Sequence, residues 1–287
     1  MPHIRDLPQR EFPAIEQRYD ERDTLLYGLG LGLGQDPTDP GQLRHVYEEG
    51  LAALPTQAAV LASPGFWMQE PDTGIQWQHL VAAGHEVELT APLPVRGHVV
   101  SRARVTQVFD RGAGKGALIL WERALTEVPG GRVLAHIRCS AIARADGGFG
   151  GPTAPRPAGP AMPERPADHR LDWQTLPGQA LLYRLTGDMN PLHASPAVAR
   201  SAGFERPILH GLCTLGIAAY LLGRHCAGPQ GLQRIGARYT GVVYPGDLLR
   251  TEVWKDGDAL AFRVVCVDRD KVVLDGGTAL PFRGDAA

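Results

Sequence analysis

The sequence predicts an α+β fold in two halves, each a curved antiparallel sheet, with a buried helix at the centre of the second. Three observations carry this. A segment crowded with proline and glycine divides the chain, and each side of it holds strand-like stretches joined by tight turns. Residues 209–222 read as a helix that is apolar on every face. A helix with no polar side must be surrounded, and a sheet curved around it is the economical arrangement.

The divider is GGFGGPTAPRPAGPAMPERPA, residues 147–167, with prolines at 152, 155, 157, 160, 163 and 166. Proline supplies no backbone donor and the segment has little to bury, so it is expected to be an extended connector. The first half carries HVVSRARVTQVFD, ALILWERALTEV and RVLAHIRCSAIAR, starting at His98, Ala117 and Arg132. The second carries RIGARYTGVVY, LLRTEVW, ALAFRVVCV and KVVLDGGTAL, starting at Arg234, Leu248, Ala259 and Lys271. The joints Lys255-Asp256-Gly257-Asp258 and Asp268-Arg269-Asp270 are hairpin chemistry. A Pro-Gly turn of similar kind (91–97 and 243–247) opens each block, which is weak evidence of a duplication. Helices are expected ahead of the strands. Residues 43–61 have apolar positions at helical spacing, broken near Pro55. Residues 177–186 start on a proline and stop at Gly187 as a left-handed residue, and Ser195-Pro196 caps a short helix ending at Gly203.

Charge narrows the function. Lys+Arg number 29 against Asp+Glu 31, which excludes a chain-wide basic footprint for nucleic acid; an anionic ligand must be met by a local cluster. Cys139, Cys213, Cys226 and Cys266 contain no C-x-x-C and lie mostly in apolar runs, which points to a reducing compartment without a disulfide frame. The opening MPHIRDLPQREFP has no apolar signal region, and the longest uncharged apolar stretch, 208–223, falls short of the ~18 residues of a membrane span. A soluble, cytoplasmic protein with no membrane partner is expected.

Between the first two helices of the second half lies Gly187-Asp188-Met189-Asn190-Pro191-Leu192-His193. Asn-Pro favours a turn, so Asp188 and His193 fall on a short irregular loop bracketed by capped helices, a suitable mount for an acid/base pair. Taken in isolation, Asp188 as a helix cap and His193 as a surface residue would be the commoner reading.

The surroundings change that balance. Residues 183–216, YRLTGDMNPLHASPAVARSAGFERPILHGLCTLG, resemble the signature of hydratase 2, the (R)-specific enoyl-CoA hydratases of the MaoC-like family, which include the hydratase unit of peroxisomal multifunctional enzymes. ERDTLLYGLGLG, LPTQAAVL, APLP, DRGAGKG, GGFGG and VVYPGD extend the resemblance to two-domain members over nearly the whole chain. It implies a double hotdog: residues 1–148 a degenerate domain shaping the acyl-CoA pocket, 149–170 a linker, 171–287 the catalytic domain. It implies hydration of trans-2-enoyl-CoA to (3R)-3-hydroxyacyl-CoA, reversibly, with no metal or organic cofactor, and by analogy a homodimer.

By position, Asp188 and His193 match the catalytic pair and Asn190 a polar residue of the same loop. Gly211 matches the glycine whose N–H meets the thioester oxygen. An amide at the start of a buried helix suits the negative charge that develops there. Met189, Pro191 and Leu192 are expected to contact substrate, and Tyr239 aligns with an aromatic facing the ligand. Arg111 replaces a CoA-contacting lysine, with Lys115 nearby. Ala82 and Ala83 stand where a His-Gly is usual, so only backbone and methyl contacts are expected from them. His210 reads equally as a hydrogen-bonding neighbour or a structural residue. A non-catalytic acyl-thioester-binding protein and a hotdog thioesterase are the alternatives; intact Asp188, Asn190, His193 and Gly211 argue against the first, and no hydrolytic constellation supports the second.

Two motifs are decoys. Gly112–Lys115 lacks the first glycine and the Ser/Thr of a phosphate loop, and the glycine run from Gly28 to Gly34 completes no dinucleotide fingerprint. His79, His85, His136, His169 and His225 show no metal-ligand spacing.

Overall fold

The structure is a computed structural model describing residues 3–154, 161–228 and 231–283. Before the proline-rich segment the strands are β1 (Ile15–Tyr19), β2 (Leu80–Leu89), β3 (Gly97–Asp110), β4 (Ala117–Glu127) and β5 (Val133–Ala143). After it come β6 (His169–Gln174), β7 (Leu232–Tyr239), β8 (Leu248–Asp256), β9 (Ala259–Cys266) and β10 (Lys271–Pro281). They make one ten-stranded sheet in the order β1-β3-β4-β5-β2-β7-β10-β9-β8-β6. Every neighbouring pair is antiparallel. The two halves join where β2 pairs with β7, from Gly84 opposite Arg238 to Glu88 opposite Arg234.

The helices are α1 (Glu21–Gly30), α2 (Pro40–Leu43), α3 (Gln179–Tyr183), α4 (Pro196–Ser201) and α5 (Gly211–His225). The all-apolar helix is α5, and each residue from Leu212 to Leu222 is buried. It packs in a single core that draws on both halves, from Tyr27, Leu31 and Val87 to Leu249 and Phe262. A second core, including Ile4, Trp67, Val105 and Ile119, belongs to the first half alone.

Two expectations need correction, and one helix was not expected. Residues 43–61 do not form a helix: α2 stops at Leu43 and only a 3-10 turn, Pro55–Ala59, follows. The apolar spacing is real, since Ala58 to Ala62 are buried, but Gly50 adopts a left-handed φ of 69° and Pro55 starts a new turn. An unforeseen helix, α1, precedes it, started by a capping box in which Asp20 accepts from the Asp23 N–H and Asp23 from the Asp20 N–H. Its end runs into the glycine series because a Cβ at Gly28 would stand 2.4 Å from the His45 carbonyl oxygen. Finally, β6 begins at His169, inside the span assigned to the connector; residues 155–160 of that span lie outside the described residues.

Candidate active site

The loop expected to carry chemistry is built by a chain of local caps. After α3 a 3-10 turn (Arg184–Thr186) ends at Gly187, whose φ of 136° releases the chain from helical geometry. The Asp188 carboxylate accepts from the Asn190 N–H at 3.2 Å, and the Asn190 side chain accepts from the Leu192 N–H at 3.0 Å, starting the turn Pro191–His193. Ser195 then caps α4. Each short side-chain oxygen satisfies a backbone donor that the turn leaves free.

Hydrogen bonds to carbonyls settle both histidine tautomers, because a carbonyl can only accept. His193 Nδ1–H donates to Ile208 O at 2.8 Å, which leaves Nε2 as a lone pair. His210 Nε2–H donates to Asp188 O at 3.2 Å, and its Nδ1 is buried without a partner. The two rings stack with centroids 3.6 Å apart. Burial pushes His193 below its ordinary value against the opposing pull of Asp188, and pushes His210 well below. Both are therefore neutral at pH 7. An Asp188 oxygen and one ring nitrogen from each histidine all lie within 4.8 Å of one another. These are also the donors that would hold a cation here; a second such group among the described residues is Asp247, Cys266 and Asp268.

Gly211 is the first residue of α5, and no side chain caps that helix. Its N–H has no intrahelical acceptor and sits at the positive end of the helix dipole. The Tyr239 ring covers it so closely that a Cβ at Gly211 would stand 2.4 Å from ring carbon Cε2. Tyr239 Oη in turn lies 2.9 Å from His85 Nδ1, the rings stacked at 5.6 Å. Burial raises the Tyr239 phenol well above its usual value and brings His85 down to about 4, so this pair also stays neutral at pH 7.

Apart from His210, which stands behind His193, these groups face one cavity of about 530 Å³. Asp188, Asn190, Leu192, His193, Gly211 and Tyr239 line it from the second half. Ala82, Arg111, Trp121 and Ala141 line it from the first. The loop, the helix start and the aromatic are thus brought together as the sequence suggested. Three expected contacts are not. Met189 is 54% exposed, because the backbone turns Asp188 and Asn190 inward and the residue between them outward. Pro191 starts the turn outside the cavity lining, and Ala83 alternates away from Ala82 on β2. Arg111 is exposed in the turn between β3 and β4 and reaches the cavity, while Lys115 does not. That turn is closed by Arg111 N–H to Gly116 O, a hairpin joint rather than a phosphate loop.

His210, expected as a hydrogen-bonding neighbour or a structural residue, donates to Asp188 O and stacks on His193 from outside the cavity lining. Sequence reasoning missed two cavity groups. His85 was set aside with the histidines that lack metal spacing. Arg123 had a readable signal: it falls in phase with inward-facing Ala117, Ile119 and Leu125 on β4, where a charge is out of place.

Comparison with known proteins agrees with this architecture. The MFE-2 hydratase 2 N-terminal domain family matches residues 17–145, and the MaoC like domain family matches residues 159–276. A Mycobacterium tuberculosis protein named enoyl-CoA hydratase ChsH3 is 40% identical over 281 residues, covering 94% of this chain and 95% of that one. A MaoC-like dehydratase structure from Phytophthora capsici superposes with a TM-score of 0.82 at 28% identity, covering 97% of this chain and 98% of that one. A Mycobacterium tuberculosis structure described as a double hotdog fold superposes at 0.59 with 17% identity, covering 98% of both chains, a likeness of fold alone.

Proposed function

The chain belongs to the two-domain hydratase 2 branch of the MaoC-like family, and from that premise we propose that it adds water across the double bond of trans-2-enoyl-CoA, giving (3R)-3-hydroxyacyl-CoA, and runs the reverse dehydration. The observation that carries the reading is the convergence of the Asp188 carboxylate, the free His193 Nε2 and the uncapped Gly211 N–H on one cavity.

In this reading a water lies between Asp188 and His193. One O–H bond breaks as its proton passes to this pair, and the oxygen bonds to C3. The C2=C3 electron pair shifts toward the thioester carbonyl, whose oxygen takes up negative charge opposite the Gly211 amide. The pair then returns a proton to C2 from the same face, so the addition is syn. Acid–base help of this kind contributes about 10² to 10⁴ in rate, and an oriented amide on the oxyanion about 10² to 10³. Asn190 fixes the loop through its cap, and the exposed Arg111 meets a CoA phosphate. The chemistry calls for no metal and no organic cofactor.

A cytoplasmic location and a homodimer complete the reading; four cysteines free of disulfides accord with a reducing compartment. The test is loss of absorbance at the enoyl-thioester band with butenoyl-, octenoyl- and dodecenoyl-CoA, followed by chiral analysis of the product. Formation of the 3S alcohol, or free CoA release without hydration, would overturn it.

A further inference from the structure

Arg123 is a buried charge that the hydration chemistry leaves unused. It occupies an inward position of β4, is 5% exposed, and that small exposure is toward the cavity it lines. Four of its N–H groups have acceptors. Nη1 donates to Leu61 O at 2.8 Å and Ser101 Oγ at 3.2 Å; Nη2 donates to Ala58 O at 3.1 Å and Ala59 O at 2.6 Å. Every one of these acceptors is neutral. No carboxylate pairs with Arg123 among the described residues, and its fifth donor, Nε–H, has no acceptor among them.

The four acceptors call for donors and bring no negative charge; an amide side chain, with two N–H groups, would leave two of them open, so the guanidinium is needed for its donors while its charge stays unbalanced. An unpaired guanidinium in a low-dielectric wall is costly to keep, so its charge calls for an explanation. The cavity lining as a whole is lopsided, with Arg111, Arg123 and Arg144 against Asp188 alone. Arg111 and Arg144 are exposed and available to the phosphates of a CoA ester, whereas Arg123 lies too deep for them.

We propose that the cavity wall at Arg123 is a subsite for the far end of the acyl chain and that its occupant is a carboxylate. The enzyme then takes CoA esters of dicarboxylic acids in preference to methyl-ended chains of equal length. This rests on the reading that the cavity holds an acyl-CoA.

Binding of saturated esters tests it apart from catalysis. Hexanedioyl-, octanedioyl- and decanedioyl-CoA are compared by calorimetry with the methyl-ended and the terminal-amide esters of the same length. Wild-type protein binds the carboxylate ester about tenfold tighter than both comparators at one or more lengths. Arg123→Gln, which drops the charge and keeps two N–H donors for the carbonyls of residues 58–61, removes that preference and leaves affinity for methyl-ended esters within about threefold. A carboxylate ester that binds no tighter than its amide at any length overturns the proposal, and this arm needs no variant to fold. Equal losses for all three esters in Arg123→Gln would reduce Arg123 to a cap on residues 58–61. Hydration of butenoyl-CoA, run on the same samples, separates the two readings: its absence beside a carboxylate preference sinks the hydratase assignment and keeps the subsite.

Discussion

Replacing Gly211 by alanine probes the oxyanion position with a displacement that can be worked out in advance. The new Cβ would meet Tyr239 at 2.4 Å from Cε2, 2.5 Å from Cδ2 and 3.0 Å from Cζ, where ordinary contact begins at 3.4 Å. The helix start and the ring must part by about 1 Å. The ring cannot rotate away freely, since its hydroxyl is held by His85 at 2.9 Å and its face is stacked on that imidazole. The helix start cannot retreat either, because Leu212 and Cys213 are buried against the core behind it. A misplacement of ~1 Å at a reacting centre costs about 10²-fold, equivalent to about 2.7 kcal/mol of barrier. The loss is expected in kcat more than in KM, because the oxygen carries its charge only as water adds. Initial rates of hydration, with thermal unfolding as the check on folding, measure this. In a Tyr239→Ala background the obstruction is gone, so the same alanine costs at least tenfold less than it does alone. A folded Gly211→Ala enzyme within about threefold of wild-type kcat would remove the Gly211 amide from the mechanism.

Asp188→Asn keeps an oxygen to accept the Asn190 N–H, so the loop holds while the base is lost; turnover falls by about two decades or more, and near-normal rates would discard the assignment. In the proposed mechanism His193 works through a neutral Nε2, and burial has lowered its protonation range, so kcat/KM is expected to be flat through pH 7 and to decline only below about pH 6.5 as the ring gains a proton; an acid limb above that value would contradict it. The same depression makes stability pH-dependent. His85, His193 and His210 are protonated more readily in the unfolded chain, so the melting temperature holds above about pH 6.5 and falls as the pH drops toward 4. Arg111→Ala raises KM for CoA esters with little change in kcat, and leaves the pantetheine thioester, which lacks the nucleotide phosphates, unaffected; equal effects on both substrates would show that Arg111 does not meet a phosphate. Dialysis against a strong chelator leaves turnover intact. Loss restored by a divalent ion would mean that Asp188, His193 and His210 hold a metal in the working enzyme.

What the sequence revealed depended on whether the cause was local. Strands β3, β4 and β5 announce themselves by alternation between turn residues, and the loop 187–193 by Gly187 and Asn190-Pro191, whose effects act within a few residues. Strand β2 did not, although it is the seam of the molecule. Its Leu-Val-Ala-Ala-Gly-His run is interrupted at Gly84, where a Cβ would stand 2.7 Å from the Ala237 carbonyl oxygen and where its register against β5 shifts. The glycine is required by the partner strand, and only the partner reveals that. Helix α1 was hidden in the same way, behind glycines that exist for close packing. Met189 and Pro191 were misplaced for the opposite reason: adjacency in the loop was taken for adjacency to the ligand, and a tight turn separates the two.

The failed helix at 43–61 and the cavity are one feature seen from two sides. On the second half's part of the sheet, α5 fills the hollow with fifteen residues, and the cavity touches it only near its start, at Gly211, Leu212 and Thr214. On the first half's part, the chain makes a single turn at Pro55–Ala59, and the carbonyls that a longer helix would have paired internally go to Arg123 instead. The guanidinium thereby ends the helix early, and the volume the missing turns would have occupied is open to the acyl chain. Hence the division of labour that the proposed function assigns across the β2–β7 seam: residues 187–211 would supply the reacting groups, and the first half space and, at Arg123, a charge that bears on which chains enter it. Had Arg123 been leucine, the strand's alternation would be satisfied, but the carbonyls of Ala58, Ala59 and Leu61 would be left buried without donors, a cost of about 1 to 3 kcal/mol each. The arginine is therefore tied to the shortened helix as much as to the substrate, which is why the terminal-amide ester, and not the Arg123 variant alone, is the comparison that isolates its charge.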